Sequence, residues 1–286
     1  MVNRDIDQPS QGKTSVQRRS EQTAKVISTA IWQETASKNN PYLAESCRCH
    51  GYDILELMQS CRYVDVLYLL FRGELPDARS AEMFEQLHIA VMNPGVRHPA
   101  VRACCNAATS RSDASNILPI GLSVLGGEHL GAAEVEQSMR FLQSSCGSNV
   151  DQIMEQYFLS KADKRPAEGD CHPVPGFGSH FGSIEPMACQ YAQALTNLRG
   201  AGRYLKWGSQ LVDAMLPYNF AWLMPGLVAA CLLDLGFNPR AGAGLYQMLS
   251  APGLLAHALE YAHKPFNSLP FADDSQYRVE TNDECV

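Results

Sequence analysis

Nowhere in this chain of 286 residues does an apolar run reach the roughly eighteen residues that a membrane-spanning helix needs, so no membrane span is expected. A basic surplus is also missing. Lys and Arg number 23 against 30 Asp and Glu, a formal charge of −7, which argues against a nucleic-acid or anionic-membrane surface, since both need a positive field. There is no GxGxxG after a strand, no GxxxxGK[ST] and no GxSxG elbow, so dinucleotide, kinase-like and serine-hydrolase readings fall away. Period-two alternation never persists over several segments, and the expected fold class is all-α. The first residues carry Arg4, Lys13, Arg18 and Arg19 without an apolar core, so 1–22 reads as a solvated tail rather than a signal peptide.

Ten cysteines are present, but most fall within apolar helical stretches rather than at loop spacings. That pattern fits reduced thiols in a cytoplasmic protein. Cys47-Arg48-Cys49-His50 has no second CxxC or HxxxH at finger-like spacing, and no metal is expected.

Apolar residues recurring at helical spacing predict a helix over 23–41, closed by Pro41. Asp53 with Glu56 three residues later opens another, with Ile54, Leu57, Met58 and Cys61 on one face. Val64 to Phe71 is nearly all apolar and ends at Gly73, which predicts a helix covered on all sides. Further helices are expected over 77–92, from His98-Pro99 onward, over 117–125 and 132–142, and over 150–159. Five more follow over 186–198, 202–215, 220–236, 240–250 and 252–263, each bounded by Pro or Gly. The polar stretch 160–175 reads as a long functional loop, and the tail from Asp273 as frayed.

Two loops concentrate the chemistry. In Leu125–Glu134, His129 stands among Gly126, Gly127 and Gly131, residues that let a side chain face a ligand against bare backbone. Taken alone this is equally a helix-ending glycine pair with a surface histidine. A second histidine, His180, lies in Pro175-Gly176-Phe177-Gly178-Ser179-His180-Phe181-Gly182, and two such loops between helices suggest one cleft lined from two sides.

Four blocks in order resemble the citrate synthase superfamily, in particular its short citryl-CoA-lyase-like branch: HGYDILELMQSCRYVDVLYLLFRGELP at 50–76, GGEHLGAAE at 126–134, PGFGSHFGSIEP at 175–186 and APGLLAHALE at 251–260. The resemblance implies a mostly helical two-domain homodimer, with 23–132 and 237–286 as the large domain and 133–236 as the small one. It implies carbon–carbon bond formation or cleavage between an acyl-CoA thioester and an oxo acid, with no bound cofactor. His129 matches the histidine that holds the thioester oxygen, and His180 approximates the one that polarises the keto group. Gly131, Phe177, Gly178, Ser179 and Ser250 fall at expected substrate-binding positions.

The departures from this pattern bear on substrate. Leu130 replaces a glycine after the first histidine, and Ser179 takes the second histidine's place with His180 one residue late. Met187 and Ser250 replace arginines, and Pro225 replaces the proton-abstracting aspartate. A dicarboxylate then lacks its charge-assisted contacts. Asp213, Glu134 and Glu185 are the carboxylates that could substitute for the lost base. Two functions stay open at this point: an enzyme with a less anionic electrophile, or a catalytically weak homologue that binds a metabolite or a partner subunit. His257 and Glu260 read as a structural pair, and His98, His172 and His263 as surface residues.

Overall fold

The computed structural model describes residues 26–159, 171–270 and 272–278. The tail expected over 1–22 lies outside these residues, as does most of the loop expected over 160–175. The chain divides into two compact units, 1–59 and 60–286.

In the first unit the helix expected over 23–41 does not form. Trp32–Ala36 (β1) pairs antiparallel with Ala44–Cys49 (β2), which pairs with Tyr52–Asp53 (β3). The helical spacing misled because Ala24, Ile27, Ala30 and Ile31 all precede β1, whose own Trp-Gln-Glu-Thr-Ala is exposed throughout. Asn40 bonds the Tyr42 amide and turns the chain between the strands. After β3 the helix Ile54–Ser60 (α1) starts as predicted, with the Asp53 carboxylate accepting from the Leu55 amide at 3.0 Å.

The second unit is helical, with α2 at Tyr63–Arg72, α3 at Ala78–Val91, α4 at Pro99–Thr109, α5 at Ala114–Leu125, α6 at Ala132–Ser145 and α7 at Val150–Ile153. It continues with α8 at Pro186–Thr196, α9 at Arg203–Met215, α10 at Met224–Asp234 and α11 at Pro239–Tyr261. A π-helical turn, Met154–Leu159, prolongs α7. Gly73 ends α2 in the left-handed conformation, as expected, but Leu70 and Phe71 are exposed, so the helix has an outer face. The fully buried helix is α10, apolar on every side from Pro225 to Leu233. Asp234 at its end accepts from the amides of Gly202, Tyr204 and Leu205 and so caps α9.

A second small sheet interrupts the helices. Cys171–Val174 (β4), Phe177–Ser179 (β5) and Ala221–Trp222 (β6) pair antiparallel, in places read from sequence as loop and as helix start. The two helices expected over 240–250 and 252–263 are one, continuous through Pro252. A proline inside a helix cannot donate to the preceding turn. Here the break is covered because Gly253 donates its amide to the Met92 carbonyl at 2.8 Å, and a Cβ on Gly253 would stand 2.5 Å from that oxygen.

Two helical glycines show how tightly this unit is packed. In α9, a Cβ on Gly208 would lie 2.2 Å from the Trp222 ring, whereas one on exposed Gly244 in α11 would meet nothing within 4 Å. Alanine favours a helix over glycine by about 1 kcal/mol, but overpacking costs about 1–3 kcal/mol. Gly244→Ala should therefore raise stability by roughly 0.5–1 kcal/mol in urea melts. Gly208→Ala should lower it despite the same change in propensity.

Candidate active site

Helix α5 delivers the chain into the glycine turn, and α6 starts with Gly131 at its N-cap. The turn closes so sharply that a Cβ on Gly131 would stand 2.2 Å from the Gly127 carbonyl oxygen. Leu130, where the resembling blocks carry glycine, has φ of 53°, a left-handed conformation that costs an L-residue about 1–2 kcal/mol. Its amide donates to Oε2 of Glu134 at 2.9 Å, which offsets part of that strain.

Glu134 is 2 % exposed and does more than hold its own loop. Its Oε1 accepts from the Gly176 amide at 3.0 Å, in the turn between β4 and β5, and lies 2.9 Å from Nδ1 of His172, on β4. One buried carboxylate thus receives an amide from each of the chemistry-bearing loops and stands against an imidazole on a strand. Gly176 has φ of 81°, and a Cβ there would meet the Gly226 Cα at 2.4 Å, so the turn sits directly against the first turn of α10.

His129, exposed on its loop, stacks on His172 with ring centroids 4.9 Å apart and planes 13° from parallel. His172 was expected at the surface. Its side chain is only 16 % exposed, and its Nε2 is buried without a hydrogen-bond partner. His98 is corrected in the same way. It is partly buried at the N-cap of α4, where Nδ1 accepts from the Ala100 amide at 3.1 Å. Burial pushes its pKa down, the Leu130 carbonyl beside it pulls the other way, and the charge of nearby His180 lowers it further.

His180 lies in a tight turn closed by two backbone hydrogen bonds with Ser183. Its ring meets Phe181 edge-on at 4.1 Å, and Phe181 has φ of 50° and is 79 % exposed. Beside His180 stands Glu185, at the N-cap of α8, whose carboxyl is pushed up by burial and drawn partly back by the His180 charge. Tyr246 of α11 faces the same region: burial first, then the charges of Glu185 and Glu134, push its hydroxyl pKa upward. One turn on, Ser250 is fully buried, and its Oγ has no hydrogen-bond partner. Electrostatic and hydrogen-bonded contacts therefore connect His129, His172, Glu134, Leu130, His98, His180, Glu185 and Tyr246.

Other expectations resolve differently. Phe177 packs in the core against Trp222 and Phe141, and Gly178 and Ser179 are buried in the β4–β5 hairpin. Asp213 is exposed on α9, where it lines a separate cavity of about 320 Å³. His257 bonds Asn93 at 3.2 Å while Glu260 pairs with Lys264 at 2.6 Å, so the two do not form the pair expected. His263 is exposed. Pro225 is buried in the first turn of α10, and Met187 is 45 % exposed. Among the described residues no arginine makes a hydrogen bond or ion pair to this cluster, and no group of three or more His, Cys, Asp or Glu side chains is placed to hold a metal ion.

His172 and His98 escaped the sequence reading because neither stands in a glycine setting. The signals present were modest: His172 precedes the Pro-Gly turn by three residues, and His98 precedes a proline at a helix start.

No protein-family model matches the chain, and no curated protein matches it in sequence. Solved structures do match it in fold. The citryl-CoA lyase from Hydrogenobacter thermophilus superposes with a TM-score of 0.69 at 22% identity, over 90% of this chain and 95% of that one. The citrate synthase from Thermotoga maritima gives 0.51 at 15% identity over 90% and 95%. The ATP citrate lyase from Methanothrix soehngenii, solved in complex with citrate and coenzyme A, gives 0.64 at 15% identity, over 97% of this chain and 48% of that one. The chain therefore has the citrate synthase-like multi-helical fold.

The lowered His98 pKa carries a sign for stability. The unfolded histidine, near its usual 6.5, binds a proton before the folded one does, so this contribution is complete above that value and is lost as pH falls through it. His98→Asn keeps a cap acceptor for the Ala100 amide and removes the titration. The loss of stability between pH 7.5 and 5.5, followed by thermal melts, should be shallower in this variant. It should not vanish, because burial lowers the His88 pKa as well.

Proposed function

We propose that the protein makes or breaks a carbon–carbon bond between an acyl-CoA thioester and a small, weakly anionic oxo compound, in the manner of a citrate synthase or citryl-CoA lyase. One observation carries the reading. Glu134 ties the His129 loop to the turn that leads into His180, so two histidines suited to donate to oxygen atoms are anchored to one buried carboxylate. His129, exposed on its glycine turn, holds the thioester oxygen as negative charge develops on it. His180 polarises the carbonyl of the oxo compound. Tyr246 and Ser250 on α11 supply hydroxyls in the region where resembling sequences carry an arginine.

The substrate's low charge follows from the same cluster. Each charged hydrogen bond contributes about 1.5–3 kcal/mol, so two missing arginines weaken dicarboxylate binding by roughly 10²–10⁴. The CoA thioester is a substrate here, not a resident cofactor. The fold likeness to a structure in complex with citrate and coenzyme A supports such a ligand.

A homodimer belongs to the proposal. Ile120 and Val124 of α5 and Leu255 and Leu259 of α11 are partly exposed on helices packed against each other, an apolar area suited to a second copy. So do the division into 23–132 with 237–286 and 133–236, and a reducing, cytoplasmic setting in which the nine described cysteines stay free. Among the described residues no helix is long and apolar enough to cross a membrane.

Calorimetric titration should show acetyl-CoA binding, with oxaloacetate and citrate weaker than about 1 mM. His129→Ala should lower turnover by about 10²–10³, while exposed His263→Ala leaves it within a few-fold. Equal effects of the two substitutions, or micromolar oxaloacetate binding, would contradict this reading. Light scattering at low micromolar concentration should report about twice 31.4 kDa.

A further inference from the structure

The site has donors for two oxygens, but among the described residues of the cluster there is no aspartate to take the proton from the thioester's α-carbon, and Pro225, which stands where resembling sequences carry one, is buried. Of the two carboxylates in the cluster, Glu134 already accepts two backbone hydrogen bonds, lies against His172 and is 2 % exposed, so neither its oxygens nor its position suit it to meet a substrate carbon. Its contact with His172 is of another kind. Nδ1 lies 2.9 Å from the carboxylate, and in the neutral imidazole a proton held there leaves the lone pair on Nε2. That Nε2 is buried and has no hydrogen-bond partner. A buried acceptor left unpaired costs stability, and an oriented imidazole with an open lone pair is the arrangement that general bases use.

We propose that His172, oriented by Glu134, is the general base that takes the α-proton of the acyl-CoA. This rests on the function proposed above. The stacking of His129 on His172 provides the geometry. A thioester's carbonyl oxygen and its α-carbon are attached to the same carbonyl carbon, so the donor to one and the acceptor from the other must stand side by side, as these rings do. In the step, the Cα–H bond breaks, the proton passes to Nε2, and the bonding electrons form an enolate whose oxygen is held by His129. The imidazolium so formed keeps its Nδ1–H on the Glu134 carboxylate, which stabilises the new charge. The enolate carbon then attacks the carbonyl of the oxo compound, whose oxygen receives a proton from His180. Cleavage runs through the same steps in reverse. Nε2 is shielded from solvent, so the groups that cover it must move as the thioester enters.

Exchange of acetyl-CoA methyl protons with D2O, followed by NMR without any oxo compound, isolates this step. His172→Asn retains a side-chain N–H near the Nδ1 position for Glu134 and lacks the base. It should melt like the wild type and bind acetyl-CoA within about three-fold, yet exchange protons about 10²–10⁴ times more slowly. Glu185→Gln, which removes the other carboxylate beside His180, should slow exchange far less than His172→Asn does. Wild-type exchange in His172→Asn would overturn the proposal while leaving the acyl-CoA reading intact. Loss confined to Glu185→Gln would overturn it in favour of that carboxylate. Should the wild-type protein itself neither bind acetyl-CoA nor exchange its protons, the functional reading fails and this proposal with it.

Discussion

Everything distinctive about the site depends on one buried carboxylate. Taking an ion such as Glu134 out of water is costly, and its position is tolerable because the amides of Leu130 and Gly176 donate to it and the imidazole Nδ1 of His172 lies 2.9 Å away. The dependence runs both ways. Leu130 is held in a left-handed conformation, and the Gly176 turn is pressed against the backbone of α10; both segments need a fixed partner to stay where they are. Each donor left unsatisfied would cost about 1–3 kcal/mol, so together they are a large share of the stability of an ordinary domain.

The fold positions this carboxylate by ordinary means. Helix α6 starts at Gly131 and carries Glu134 in its first turn, where the helix dipole favours negative charge. The apolar α10 forms the floor beneath the Gly176 turn, and α11 brings Tyr246 and Ser250 to the same side. Rigid helices thus present loops whose backbone carries the strain, a division of labour in which scaffold and site are built from different segments.

Much of this was legible in the sequence, for reasons that differ from element to element. The helices of the second unit showed themselves through apolar spacing and capping residues such as Asp77, whose carboxylate accepts from the Ser80 amide at 2.7 Å. The two glycine-bounded histidines stand out by residue type, whereas Glu134 stands out only as one of three carboxylates able to replace a base, not as the group that joins the two loops. What could not be read were features decided by distant partners. The β1–β2 hairpin has little apolar alternation because its side chains are exposed, and α11 passes through Pro252 because the Met92 carbonyl accepts from the next amide. His172 looked like a surface residue because its partner lies thirty-eight positions away on α6, a separation that no local pattern reports.

The most direct test of the account is hydrogen exchange on Glu134→Ala, read by mass spectrometry over 125–134 and 171–182. If one carboxylate holds both loops, both segments should lose protection together while α9 and the first turns of α11 keep theirs, and acetyl-CoA binding should disappear with them. Loss of protection confined to 125–134, with the second segment and binding unchanged, would show that the two loops are held independently and would contradict the account.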